Sequence, residues 1–88
     1  MSGIAGILKS PSSSVSDEEL TLLAEAIAHR GPDGRSSHVE ANLGLVHCFL
    51  KIPAAESVPQ PLRSEDKNLT LVGDGRIFNH AELSSRLE

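Results

Sequence analysis

The sequence predicts an α+β domain in which helices lie outside antiparallel strands. Three observations predict it. A capped amphipathic helix reads from Ser16 to Arg30, an alternating strand from Leu43 to Ile52, and an Asp-Gly turn at Asp74-Gly75 between two apolar runs. The 88 residues make one small domain or part of a larger one. Aromatic residues are 2% of the chain, only Phe49 and Phe78, so the core must be built from Leu, Ile, Val and Ala.

In chain order, Ser2 to Leu8 is a short apolar run interrupted by Gly3 and Gly6. Its length and its β-branched Ile4 and Ile7 predict a strand buried on both faces. A polar loop follows through Pro11 and the serines after it. Ser16 then stands as N-cap with Glu19 three residues on, a capping box, and Val15 with Leu20 forms a hydrophobic staple. Asp17, Glu18 and Glu19 complement the helix dipole, and Leu20, Leu23, Ala24 and Ile27 make one stripe. Gly31-Pro32 stops the helix after Arg30.

From Leu43 onward Val46, Cys48, Leu50 and Ile52 form an apolar face, while Leu45, His47, Phe49 and Lys51 form a mixed one. A loop spans Pro53, Pro59 and Pro61. Leu69 to Val72 reads as a strand, joined by Gly73-Asp74-Gly75 to Arg76-Ile77-Phe78 in a hairpin. Asn79 caps a last helix running to Glu88, with Glu82 at its third position.

Charge and composition narrow the function. A net charge of −4, with eight scattered basic residues and no stacking platform, argues against nucleic acid. The single cysteine, Cys48, excludes an internal disulfide and any Cys-based zinc site, which makes a reducing cytoplasm the expected location. No run approaches the ~18 apolar residues of a membrane span, and the N-terminus lacks a leader's basic region. Neither a cofactor nor a metal is expected.

Few residues offer chemistry by themselves. Ser2 becomes terminal if Met1 is removed, and a terminal hydroxyl beside its own α-amine is one activated nucleophile; a serine after the initiator is also commonplace. Gly73-Asp74-Gly75 begins like a dinucleotide-binding loop but has Phe78 at the sixth position, so a turn is the better reading. His29, His38, His47 and His80 fall at no metal-ligand spacing. Cys48 lies on the apolar face and reads as an inert thiol.

Taken together, Ser2-Gly3-Ile4-Ala5-Gly6-Ile7, His29-Arg30-Gly31-Pro32-Asp33-Gly34, Gln60-Pro61-Leu62 and Gly75-Arg76-Ile77-Phe78-Asn79-His80-Ala81-Glu82-Leu83 resemble a known set. They look like the N-terminal glutaminase domain of the asparagine-synthetase family, the class II (N-terminal nucleophile) glutamine amidotransferases. The resemblance covers nearly all of residues 1–88 and about the first half of that family's domain. It implies a truncated, partial Ntn-hydrolase-type αββα sandwich, with two antiparallel sheets between outer helices.

The resemblance also implies a reaction. In the family an N-terminal cysteine hydrolyses glutamine, and the ammonia passes to an ATP-dependent synthetase domain. The four matching positions all depart from the pattern. The nucleophile falls on Ser2, and the arginine that grips the glutamine carboxylate falls on Phe49. The asparagine of the oxyanion-hole Asn-Gly pair falls on Asp74, beside a retained Gly75, and the acid that meets the substrate ammonium falls on Arg76. A hydroxyl is a weaker nucleophile than a thiol near neutrality. An ionised Asp74 would repel a developing oxyanion at ~4 Å by about 4 kcal/mol at an effective dielectric near 20.

The implied role is therefore a degenerate domain, as in β-lactam synthetases and lasso-peptide macrolactam cyclases, whose nucleophile is an amine on the substrate. Such a domain would scaffold a synthetase (ATP-pyrophosphatase) partner or self-associate through an uncovered sheet face. Two alternatives stand beside it: an N-terminal-serine amidohydrolase using Ser2, and a stand-alone interaction module.

Overall fold

The computed structural model describes residues 2–51, 59–75 and 78–87. In chain order the elements are β1 (Gly3–Leu8), α1 (Asp17–Ile27) with a 3-10 turn at Ala28–Arg30, and β2 (Gly34–Glu40). They continue with β3 (Leu43–Phe49), β4 (Leu62–Arg63), β5 (Thr70–Leu71) and α2 (His80–Leu87). The fold is α+β with antiparallel sheets, as the sequence predicts: β1-β3-β2 form one sheet and β4-β5 a second.

Helix α1 begins where its capping chemistry dictates. The Glu19 N–H donates to Ser16 Oγ at 3.2 Å, and the Ser16 N–H donates back to Glu19 Oε1 at 3.2 Å. Lys9 adds an ion pair to the same carboxylate. The Glu19 carboxyl is thereby held below the usual range, first by the Lys9 ammonium and then by the Ser16 backbone N–H. A depressed folded-state pKa stabilises the fold above the unfolded value, and this contribution is lost as pH falls through the folded one. A Glu19→Gln variant should therefore melt below wild type at neutral pH, with the gap closing on acidification through the carboxylate range.

Period-2 alternation along β3 divides its side chains between two faces. Gly44, Val46 and Cys48 face α1, where Val15, Leu20, Ala24, Val46 and Cys48 form the buried core, with Ile7, Leu23 and Ile27 packed against it. Gly44 lets the helix approach, since a Cβ there would stand 2.9 Å from Leu20 Cδ2 and 3.0 Å from Val15 Cγ1. His47 lies on the other face with its ring centroid 6.3 Å from that of Phe49.

The structure departs from expectation in two places. Strand β1 is an edge strand covered on one face only, with Ile4 45% and Leu8 74% exposed. Its outward side chains, Ile4 and Leu8, are apolar yet exposed. Strand β2 pairs with β3 through a hairpin turning at Ala41-Asn42, with Ala41 at φ 51°. No apolar alternation marks it, because Gly-Arg-Ser-Ser-His-Val-Glu carries a single large apolar side chain.

The strand expected from Leu69 to Val72 is present as β5. It pairs with β4, and the hairpin expected across Asp74-Gly75 falls on Arg76 and Ile77, outside the described residues. Side chains close the Ser64–Leu69 turn: Ser64 Oγ donates to Asp66 Oδ1 at 2.6 Å, and the Asn68 N–H donates to the same oxygen at 3.1 Å. Phe78 stands in a turn at 93% exposure, and Arg76, Ile77 and the end of the expected β3 at Ile52 lie outside the described residues. Helix α2 starts after Asn79, whose carbonyl accepts the Leu83 N–H, and none of its described residues is buried. No helix among the described residues is long and apolar enough to cross a membrane.

Candidate functional site

The hexapeptide His29–Gly34 connects the end of α1 to β2 and lies against the end of β3. Gly31 is buried there because backbone meets backbone: a Cβ would stand 2.1 Å from Cys48 O and 2.6 Å from Phe49 N. Asp33 then grips the strand from one side. Its N–H donates to Phe49 O at 3.0 Å, and its carboxylate accepts the Lys51 N–H at 2.7 Å. Successive backbone groups of a strand point to opposite edges. The Leu50 N–H accordingly faces β1, where it donates to Ser2 Oγ at 3.0 Å.

Arg30 completes the arrangement. Its stem lies on Gly3, where a Cβ would approach Arg30 Cβ to 3.2 Å and Cδ to 3.3 Å. Its Nε donates to the Ser2 carbonyl at 3.2 Å, and its Nη2 reaches Asp74 Oδ2 at 3.3 Å. Asp74 is delivered by a loop that Gln60 holds: the Gly73 N–H donates to Gln60 Oε1 at 2.8 Å, and Gln60 Nε2 donates to Gly73 O at 3.1 Å. Ser36 in turn donates its hydroxyl proton to the Gln60 carbonyl.

Two of the five residues singled out from the sequence are thus brought together, Ser2 and Asp74, with Arg30 between them. Phe49 precedes the backbone donor of Leu50 and turns its half-buried ring toward His47. Gly75 is exposed, with open space around a built Cβ. Arg76 lies outside the described residues. Sequence reasoning assigned no role to Arg30, Asp33, Gln60 or the Leu50 N–H. The hexapeptide and Gln60-Pro61 were visible as motifs, but their function appears only when β1, β3 and the 73–75 loop converge.

The chemistry available follows from these contacts. A backbone donor on Ser2 Oγ holds the hydroxyl in place and leaves its proton free to donate. No side-chain base bonds Ser2 among the described residues, so proton removal falls to an α-amine if Ser2 is terminal. Asp74 places a carboxylate, and no amide donor, at its position. Among the described residues no group of three His, Cys, Asp or Glu is placed to hold a metal ion. A groove of about 290 Å³ lies on the sheet face away from α1, walled by His47, Phe49 and Gln60 among others, but not by Ser2 or Asp74.

Comparison of the sequence with known proteins gives the family. The chain belongs to the glutamine amidotransferase domain family, which matches residues 1–88, and to the asparagine synthetase branch of it. It is 35% identical over 88 residues to the nodule asparagine synthetase [glutamine-hydrolyzing] of Pisum sativum, covering 99% of this chain and 15% of that protein. Asparagine synthetase [glutamine-hydrolyzing] 2 of Bacillus subtilis is 33% identical over 94 residues, covering 99% of this chain and 12% of its own length. The Zea mays enzyme is 38% identical over 66 residues, 75% of this chain and 11% of that protein. The chain therefore spans roughly an eighth of the length of these relatives. No solved structure matches it.

Proposed function

We propose that this chain is the glutaminase-type domain of an asparagine-synthetase-like, ATP-dependent amide-forming ligase, and that it serves as a scaffold and not as an ammonia source. One observation carries the reading: the position holds a carboxylate, Asp74, paired with the same Arg30 that binds the Ser2 carbonyl. Acyl transfer needs donors aimed where negative charge develops, and losing one such donor typically costs ~10²–10³ in rate. A carboxylate does worse than a missing donor, because it opposes the charge. Phe49 adds a second loss, since an aromatic ring cannot make the charge-assisted contact that fixes a substrate carboxylate. Ser2 adds a third.

In this reading the described sheets are part of an Ntn-hydrolase-type αββα sandwich. The outward apolar residues of β1, Ile4 and Leu8, meet the remainder of the ligase, a synthetase partner or a second copy. The bond formed would be the amide of asparagine, or a macrolactam where the substrate brings its own amine. The expected location is the cytoplasm. The test is glutamine turnover: protein incubated with glutamine should release no more glutamate than a Ser2→Ala control. Turnover that depends on Ser2 would overturn the reading.

A second reading, an N-terminal-serine amidohydrolase, draws support from the Leu50 N–H held on Ser2 Oγ. It requires removal of Met1. Intact-mass measurement decides that requirement, and a retained Met1 ends the second reading.

A further inference from the structure

We propose that the groove between α1 and β2 is a docking site for helix α2 of a second copy of this chain, so that two copies close a reciprocal dimer. Helix α1 lies over β1 and β3. Arg35 and Ser37 of β2 stand opposite Cys48 and Val46 in the ladder and so share their face, yet both are exposed. Beside α1 a groove of about 190 Å³ remains over β2. Asp17, Leu20 and Ala24 form its helical wall at positions i, i+3 and i+7, Arg35 and Ser37 form the other wall, and Val46 lies between them.

The middle of the groove is apolar and its charges lie at opposite ends. Leu20 covers Gly44, and the Cys48 thiol donates to Ala24 O at 3.6 Å, so β3 runs along α1 from Leu20 toward Ala24. Arg35, opposite Cys48, is therefore level with Ala24, whereas Asp17 lies beyond Leu20 at the other end. Seven residues of helix separate these levels by about 10 Å. Among the described residues neither Asp17 nor Arg35 forms an ion pair.

Helix α2 matches this groove. None of its described residues is buried, and Leu83 and Leu87, 39% and 88% exposed, form an apolar stripe. Glu82 and Arg86 flank that stripe and are themselves exposed. Laid antiparallel to α1, α2 brings Glu82 to the Arg35 end and Arg86 to the Asp17 end, with the leucines over Leu20, Ala24 and Val46. The parallel orientation would set like charges together, so charge selects one direction. Each copy carries both groove and helix, so two helices fill two grooves about a two-fold axis. Two leucines make a small anchor, and the dimer is correspondingly weak.

This interface involves neither Ser2 nor β1, so it stands or falls independently of glutamine turnover. Sedimentation velocity of the full chain from micromolar to millimolar concentration tests it, with circular dichroism to verify folding. Wild type should pass from monomer to dimer across that range. Leu87→Lys should weaken association at least ~10-fold. Arg35→Glu and Glu82→Arg should each weaken it roughly 5-fold, and the double variant should recover most of the loss. All three side chains are exposed, so the variants retain the fold. A wild type that stays monomeric throughout, or charge reversals that fail to compensate, would overturn the proposal. So would a dimer indifferent to Leu87→Lys, which would form through the exposed Ile4 and Leu8 instead.

Discussion

Gly31→Ala is expected to leave the chain without a cooperative folded state. The added Cβ would lie 2.1 Å from Cys48 O, 2.2 Å from Cys48 C and 2.6 Å from Phe49 N, all of them backbone atoms at the end of β3. Overpacking against movable side chains already costs about 1–3 kcal/mol. Here no rotamer change relieves the contact, so the hexapeptide must leave the strand. Its departure breaks the Asp33 bonds to Phe49 and Lys51 and carries Arg30 away from Ser2. Domains have a total stability of only about 5–15 kcal/mol, and small ones sit at the low end. The check is a thermal melt by circular dichroism beside Gly34→Ala, where a Cβ meets nothing within 4 Å. Gly34→Ala should melt like wild type, and a cooperative melt for Gly31→Ala would refute the account of the hexapeptide.

Leu20→Ala has the next largest expected effect. Leu20 is 7% exposed and sits among the buried apolar residues Val15, Ala24, Val46 and Cys48. Truncating a buried leucine costs about 2–5 kcal/mol, the spread reflecting how far the surroundings collapse. Collapse is limited here, because Leu20 spans the gap over Gly44 that a side chain on β3 would otherwise fill. The same contact supplies an internal control. Gly44→Ala alone should destabilise by crowding Leu20 Cδ2, Val15 Cγ1 and Ile7 Cγ2. Joined to Leu20→Ala it should cost less than the sum, since the first contact is gone. Chemical denaturation of the four proteins measures the coupling, and strict additivity would show that Leu20 does not rest on Gly44.

These two sites mark what was legible in the sequence. Helix α1 was legible to the residue at its start, because Ser16 and Glu19 satisfy each other's backbone locally and no distant partner is needed. The central strand β3 was legible because both its faces meet something, and burial enforces the alternation. Strand β2 was not, because an exposed edge strand follows its neighbour's register and carries little burial pattern of its own. The pairing of β5 with β4 was not legible either. The turn between them is closed by the side chains of Ser64 and Asp66, with no glycine or proline to mark it.

The candidate site divides along the same line. Ser2 and Asp74 were found through resemblance, which reports residue identity. The Leu50 N–H was invisible to it, because every residue except proline has one and only the fold aims it. Arg30 lay in plain sight within the hexapeptide, yet its guanidinium finds Ser2 and Asp74 only through contacts 28 and 44 residues apart.

The carboxylate of Asp33 takes the place of a further rung in the ladder between β2 and β3. Beyond Gly34–Phe49 no residue of β2 is available to receive the next amide, and the aspartate oxygen receives it in its stead. A sheet normally frays where its ladder runs out; here the last amide is sealed by a side chain. The polypeptide can change direction after Lys51 without orphaning a donor, which uncouples whatever course it takes next from the geometry that holds the first residues in place.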